Sequence, residues 1–468
     1  MSKRIAIIGG GPAGYEAALA GAKYGADVTL IEDQGLGGSA VVLDCVPSKS
    51  FIAGANILTD LRRSEAMGLS HKAAEAPFHV EALNQRVARL ARNQSADIYR
   101  QMRRAGVTVV DGHARFESGS SNLATHYLRV VHADGAEKTM EFDLVLVATG
   151  AHPRVLPGAK PDGERIFTWR QIYNLTELPE HLIVVGSGVT GAEFVSAFAE
   201  LGVKVTMVAS RDRILPHDDA DAADVLETVL AERNVHLVKH ARVESAENTG
   251  EGVVVRTDDG REITGSHALM TVGSIPNTQD MGLEKVGVEL TKSGHIHVDR
   301  VSRTNVPGIY AAGDCTDLFP LASVAAMQGR IAMYHALGEG VSPVRMKTVA
   351  NAVFTRPEIA AVGVTQAQVE SGEISARSIT MPLQTNPRAK MRSLRHGFVK
   401  IFCRRHSGII IGAVVVAPTA SELILPLALA VSKNLTVNDL AETFAVYPSL
   451  SGSVTEAARR LVAHDDLD

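Results

Sequence analysis

Gly9, Gly11 and Gly14 stand in the spacing G-x-G-x-x-G, and Gly186, Gly188 and Gly191 repeat it further along the chain. Each set comes after an apolar run, Ile5 to Ile8 and then Leu182 to Val185, and each opens a helix-forming segment. That arrangement suits a dinucleotide. The first glycine permits a tight turn, the second lets backbone approach a pyrophosphate, and the third lets the helix pack on the sheet. The helices opened by Pro12 and Ala13, and by Val189 and Thr190, then aim free N–H groups at the phosphates. The bland alternative, a glycine-rich turn without a ligand, needs neither strand nor helix in register.

The second strand of each unit separates the two fingerprints. After the first, the strand from Asp27 to Ile31 ends at Glu32, a carboxylate placed to accept from ribose hydroxyls. After the second, the strand Lys204 to Val208 ends in Ala209-Ser210-Arg211, with no carboxylate. An acid there would repel a 2′-phosphate, whereas Ser210 and Arg211 can donate to one. NADPH is therefore expected, alongside NADH. Two unequal sites in one chain fit a bound electron relay plus a diffusible nicotinamide, the logic of a flavoprotein.

The elements that must hold these residues can be read from periodicity. Residues 80–105 form an amphipathic pattern with Val80, Leu83, Val87 and Leu90 on one face, and Arg100, Arg103 and Arg104 end it as a solvated terminus. Strands are expected at Val107 to Val110 and Leu144 to Val147. Alternation at Phe398 to Phe402 and Ile409 to Val416 reads as antiparallel sheet, with helices near 420–433 and 450–463. Trp169, the single tryptophan, reads as packing.

Composition narrows the class. The chain has 468 residues, which suits about three domains. Its hydrophobic share of 45% is enough for a full core. A net charge of -5 argues against nonspecific nucleic-acid binding. The three cysteines, Cys45, Cys315 and Cys403, show no C-x-x-C or zinc spacing. No apolar run reaches the ~18 residues of a membrane span. Met1 to Arg4 lead straight into the first strand without a signal-peptide pattern, so a cytoplasmic location is expected.

Seven ordered stretches resemble the flavoprotein disulfide reductases, the family of lipoamide dehydrogenase and glutathione reductase. They are Gly9–Gly14, Gly37–Lys49, Ala148–Gly150, Gly186–Gly191, Val272–Thr278, Gly308–Asp314 and Phe354–Gly363. The resemblance implies an α/β fold with two Rossmann-type dinucleotide-binding domains plus an α+β C-terminal dimerisation domain. It implies an FAD part at 1–150 resuming at 278–344, an NAD(P) part at 151–277, an interface part at 345–468, and a homodimer. It further implies FAD contacts at Gly38, Ser39, Ala114, Thr149 and Gly150, a ribitol contact at Asp314, and nicotinamide-side contacts that include Gly273. The helix starting at Leu321-Ala322 would face the flavin pyrimidine edge, and Lys49 with Glu193 would form a pair near flavin N5.

The departures from that family decide the chemistry. Its redox motif has two cysteines five residues apart before Pro-Ser-Lys, but here the outer position is Ala40 and only Cys45 remains. Its C-terminal His-Pro, with a glutamate five residues beyond the histidine, is here Tyr447-Pro448 with Gly452. Disulfide reduction needs an outer thiolate, a resolving thiol and a base. Ala40 cannot attack, and tyrosine, with an unperturbed pKa near ~10, is a poor base at neutral pH. Cys45 begins a helix opened by Pro47, where the dipole favours a thiolate and a charge-transfer contact with flavin is one reading; an inert cysteine is the other. Tyr447 either lines the acceptor pocket from the second subunit or fills the space of the lost histidine. The pattern is similar to the NAD(P)H:quinone reductases that lack the redox disulfide. The resemblance therefore implies electron transfer from flavin directly to a quinone, with Lys49, Glu193, Cys45 and Tyr447 at the catalytic centre. Two alternatives stay open: a non-catalytic flavin redox sensor or assembly protein, and a pyridine nucleotide transhydrogenase.

Overall fold

A computed structural model describes residues 2–69, 78–117 and 125–463. Packing divides the chain into two units. The first comprises Met1–Phe51, Glu81–Arg154 and Gly273–Val344; the second comprises Ile52–Val80, Val155–Val272 and Arg345–Asp468.

The first unit is built on a seven-stranded sheet. Its strands are β1 (Arg4–Ile8), β2 (Asp27–Glu32), β3 (Thr108–Phe116), β4 (His126–His132), β5 (Glu137–Phe142), β6 (Leu144–Val147) and β17 (Ile309–Ala311). The order is β17-β6-β1-β2-β3-β4-β5. The β17, β6, β1, β2 and β3 pairings are parallel, and β4 and β5 add antiparallel strands at one edge. Near-continuous apolar sequence explains the parallel part: all four residues of β6 and four of five in β1 are buried, as in a sheet covered on both faces. A two-stranded ribbon, β7 (Ala151–Pro153) with β16 (Ser274–Pro276), also belongs to this unit.

Helix α1 (Pro12–Lys23) packs against α7 (Ala322–Ala336) through small residues. Their backbones approach so closely that a Cβ on Gly329 would lie 2.1 Å from the Ala13 carbonyl oxygen. Between β2 and β3 run α2 (Gly38–Val42), the start of α3 (Cys45–Arg62) and α4 (Val80–Arg104). The buried stripe of α4 is Val80, Asn84, Val87, Ala91, Ile98 and Met102; Leu83 and Leu90 flank it half-buried. β3 runs six residues past the expected strand because its second half pairs with β4.

The second unit repeats the parallel motif with β8 (Ile166–Thr168), β9 (His181–Val185), β10 (Lys204–Val208), β11 (His236–Val238) and β15 (His267–Met270), ordered β11-β10-β9-β15-β8. Helices α5 (Val189–Glu200) and α6 (Ala220–Glu232) connect its strands, and β12 (Val243–Asn248), β13 (Val253–Thr257) and β14 (Glu262–Gly265) form a small antiparallel sheet. The C-terminal part is a five-stranded antiparallel sheet of β18 (Ala350–Val353), β19 (Glu358–Gly363), β20 (Ala376–Pro382), β21 (Phe398–Arg404) and β22 (Ile410–Ala417). Short helices α8 (Gln366–Glu370), α9 (Pro387–Met391) and α11 (Val437–Glu442) accompany it, with the longer α10 (Ala420–Lys433) and α12 (Gly452–Ala463). Trp169 is buried, and Arg170 lies over its ring.

Residues Gly38–Arg62 are, by length and composition, apolar enough to cross a membrane. That run is broken between α2 and α3, however, and carries Asp44, Lys49, Asp60 and Arg62. Its last turns are tied to protein: Thr59 Oγ1 donates to Glu200 Oε2 at 3.2 Å, and an Arg62 guanidinium nitrogen to the Glu200 carbonyl at 2.7 Å.

Candidate active site

In the first unit, the sites expected from sequence gather at the carboxyl ends of adjacent parallel strands. β1 ends at the glycine fingerprint, β2 at Glu32, β6 before Thr149 and β17 before Asp314. The chain leaves β1 toward β2 on one side and returns as β6 on the other, and ligands of open α/β sheets bind at such a switch point.

The glycines of this fingerprint do different jobs. Gly9 has φ +104°, and a Cβ there would sit 2.3 Å from the Ala148 carbonyl oxygen. A Cβ on Gly14 would meet the Gly9 carbonyl oxygen at 1.8 Å, so close helix–strand packing requires glycine. Gly11 is different: the nearest atom to a Cβ would be the Gly38 Cα at 3.9 Å. The protein leaves that space free, as a backbone cradle for a ligand would. Pro12 and Ala13 begin α1 there, and Gly38 and Ser39 begin α2.

Two acids flank this cradle in contrasting states. Glu32 Oε2 accepts the Gly10 N–H at 2.5 Å, and Oε1 accepts the Gln34 N–H at 2.6 Å. Burial raises its pKa against the pull of those donors. Asp314 has no hydrogen-bond donor among the described residues. Burial, reinforced by the charge of Asp44, pushes its carboxyl up to about 6. A half-buried acceptor without a donor is the partner a polyol hydroxyl needs. Helix α7 adds N–H groups: Leu321 caps it without a side-chain bond, and its first turn holds no acid. An open glycine, a donorless carboxylate and an uncapped helix start together fit the pyrophosphate, ribitol and electron-rich edge of FAD.

Residues not singled out from sequence hold these groups in place. Asn277 Nδ2 donates to the Thr149 carbonyl at 2.8 Å, and Thr149 Oγ1 donates to the Asn277 carbonyl at 2.7 Å. The Asn277 N–H reaches the Gly150 carbonyl at 2.9 Å, and His152 Nδ1 lies 2.6 Å from Asn277 Oδ1. Since the Asn277 amide nitrogen is committed to Thr149, its Oδ1 accepts, and His152 Nδ1 carries the proton. Gln328 is fully buried and fixes the turn before Asp314 by accepting the Gly313 N–H at 3.0 Å. Ala114 lies buried in the core strand β3, where its side chain is a methyl group.

The second unit repeats the glycine logic. Gly186 has φ +114°, and its Cβ would meet the Thr271 carbonyl oxygen at 2.4 Å. A Cβ on Gly191 would meet the Gly186 carbonyl oxygen at 2.1 Å, while one on Gly188 would find nothing within 4 Å. Val189 and Thr190 form the first turn of α5, and Ser210 and Arg211 are exposed just beyond β10. Gly273 has φ +91° and its carbonyl accepts the Arg154 N–H at 2.9 Å.

None of the three cysteines forms a disulfide. Cys315 is fully buried, donates to the Ala312 carbonyl at 3.3 Å, and burial pushes its thiol up to about 11. Cys403 is buried in β21. Cys45 and Lys49 sit one turn apart at the start of α3, on one face of the helix. Glu193 is buried in α5 and accepts the Phe354 N–H at 2.9 Å. Tyr447 is exposed on a cleft of about 480 Å³ that Phe444, Asn386 and Gly452 also line.

The family described as pyridine nucleotide-disulphide oxidoreductase matches residues 3–329, and its dimerisation domain matches residues 349–458. A Mycobacterium tuberculosis protein named NAD(P)H dehydrogenase (quinone) is 60% identical over 100% of this chain and 96% of its own length. A dihydrolipoyl dehydrogenase of Geobacillus stearothermophilus is 32% identical over 97% of this chain and 94% of its own. The crystal structure of LpdA from Mycobacterium tuberculosis matches with a TM-score of 0.94 at 60% identity, over 98% of this chain and 99% of that one. The flavoprotein disulfide reductase RclA from Escherichia coli matches at 0.85 and 25% identity, over 97% and 99%.

Proposed function

Since this chain belongs to the pyridine nucleotide-disulphide oxidoreductase family, we propose that it carries electrons from NAD(P)H, through FAD, directly to a quinone-type acceptor. The observation that carries this reading is Ala40. A methyl group stands where disulfide chemistry needs an attacking thiol. Tyr447 and Gly452 stand where it needs an acid–base pair. Cys315 is held as a neutral core thiol and cannot substitute. The name of the 60%-identical relative supports the same acceptor class.

Bound FAD supplies a two-electron relay between nicotinamide and acceptor. The chain's own residues bind and tune. Gly11 and Gly38 provide the pyrophosphate cradle, Glu32 and Asp314 accept hydroxyl donors, and the α7 N–H groups favour negative charge at the pyrimidine edge. Lys49 adds positive charge that favours the anionic reduced state. Gly188 receives the nicotinamide nucleotide's pyrophosphate, and Ser210 and Arg211 donate to the 2′-phosphate of NADPH. In this reading residues 1–150 and 278–344 form the FAD part, 151–277 the NAD(P) part and 345–468 the interface part.

The protein acts as a homodimer in this proposal. The matched dimerisation domain supports it, as do the exposed apolar residues Leu425, Leu429, Phe444 and Val446. Three cysteines without a disulfide agree with a reducing, cytoplasmic setting. The test is steady-state NADPH oxidation by the purified protein with menadione, oxidised lipoamide and oxidised glutathione. Turnover with menadione alone is expected. Turnover with either disulfide would refute the reading.

A further inference from the structure

The segment from Ala209 to Asp219 joins β10 to α6 and carries Ser210 and Arg211 at its near end. Its shape is not relaxed. Leu215, fully buried, is held at φ +47°, a left-handed conformation that costs a non-glycine residue about 1–3 kcal/mol. Such a turn persists only if its surroundings hold it. The Leu215 N–H donates to the Ser187 carbonyl at 2.8 Å, inside the second fingerprint, and the Ile214 N–H donates to Glu227 Oε1 at 3.0 Å. Glu227 is itself fixed by Lys239 at 2.6 Å.

The far end is held from another part of the same unit. Lys400 points from β21 of the antiparallel sheet and is almost fully buried. Its Nζ lies 2.9 and 2.8 Å from the two Asp219 oxygens and 2.7 Å from Asp221 Oδ2. Three donors meet three acceptors, so the ammonium is saturated. Phe398 and Phe402, on the same strand face, bring their rings to 5.4 and 6.0 Å from Nζ. Asp219 also caps α6 by accepting the Ala222 N–H at 3.1 Å. A buried ion pair is weak evidence for stability, because desolvation offsets its attraction, but it specifies one geometry. Here the geometry specified is the end of the loop that carries the 2′-phosphate donors.

We propose that Lys400 is a positioning residue for NADPH: it clamps Asp219, and so keeps the strained loop in the shape that presents Ser210 and Arg211 to a 2′-phosphate. The inference rests on the reading of Ser210 and Arg211 given above. It makes the antiparallel sheet, rather than the nucleotide-binding sheet alone, a determinant of cofactor preference. NADH, lacking the phosphate, depends on the fingerprint and is insensitive to the clamp.

The test titrates the FAD-loaded protein calorimetrically with 2′,5′-ADP and with 5′-AMP. Lys400→Met alone leaves Asp219 buried without a counter-charge and risks unfolding. The double variant Lys400→Met/Asp219→Asn removes the two buried charges, leaves the exposed Asp221 and keeps a cap acceptor for α6. For the double variant, 2′,5′-ADP affinity is expected to fall about fivefold to tenfold, or about 1–1.4 kcal/mol, with 5′-AMP unchanged within about twofold. The KM for NADPH should rise in parallel, with kcat and the KM for NADH nearly constant. A merely structural role would weaken both ligands alike, and that result overturns the proposal, as does no change in either. Arg211→Ala is the control. If it shifts 2′,5′-ADP while the double variant does not, the Lys400 inference alone falls. If Arg211→Ala shifts nothing, the phosphate reading and the inference fall together.

Discussion

Gly11 and Gly9 look alike in the sequence motif but answer to different constraints, and substitution should separate them. Gly9→Ala and Gly14→Ala drive a methyl into backbone at 2.3 and 1.8 Å, so each should destabilise the FAD-free protein by about 1–3 kcal/mol or more. Gly11→Ala meets nothing closer than 3.9 Å, so the FAD-free melting temperature should hold while FAD retention on gel filtration is lost. Equal destabilisation by all three would contradict the cradle. Asp314 gives a pH test. Its folded pKa of about 6 lies above that of an unfolded aspartate, so folding favours the protonated form. The folded state then binds more protons between about pH 4 and 6, and this group's contribution to stability declines as pH rises through that window. Asp314→Asn removes the charge. The FAD-free variant should melt above the FAD-free wild type at pH 8, with the gap closing toward pH 5, while FAD binding weakens. An equal melting difference at both pH values would count against it. The glycines and Glu32 were legible in sequence because their roles are local. Asn277, His152 and Gln328 were not, because their partners are brought to them by the fold: Asn277 bonds to Thr149 across 128 positions.

Elements were the most legible level where one physical signal dominated. Continuous apolar runs marked β1, β6 and β9, and the polar–apolar stripe marked α4. Boundaries drifted where pairing extends an element beyond its own pattern, as β3 does to meet β4. The stripe of α4 also turned out to bury Asn84 more fully than Leu83, a packing choice that hydrophobicity alone does not encode. The helix pair α1–α7 carries a prediction at this scale. In the proposed site α7 turns its first N–H groups to the flavin pyrimidine edge while α1 opens at the cradle, and Gly329 permits the close approach of the two helices. Gly329→Ala would place a methyl 2.1 Å from the Ala13 carbonyl oxygen and force the helices apart. It should lower the melting temperature and weaken FAD binding together, as read by thermal unfolding and flavin fluorescence. Gly340→Ala, where a Cβ meets nothing within 4 Å, should change neither.

The chain as a whole combines two dinucleotide fingerprints with an alanine, Ala40, in place of the family's outer thiol. The exposed apolar residues of the C-terminal part mark the expected subunit contact. Leu425 and Leu429 are one turn apart on α10, so Leu425→Glu/Leu429→Glu should shift the protein from dimer to monomer in analytical ultracentrifugation. An unchanged dimer would place the contact elsewhere. The overall organisation was legible because its motifs repeat in order along nearly the whole chain; the clamp between Lys400 and Asp219, 181 positions apart, was not. The central claim is that electrons leave without a thiol. It is tested most directly by comparing Cys45→Ser with the wild type in NADPH oxidation with menadione and with oxidised lipoamide. The account predicts menadione turnover within about threefold of wild type, a change of about 0.7 kcal/mol or less in the barrier, and no lipoamide turnover in either protein. Loss of menadione turnover in the variant, or lipoamide turnover in the wild type that the variant lacks, would contradict it.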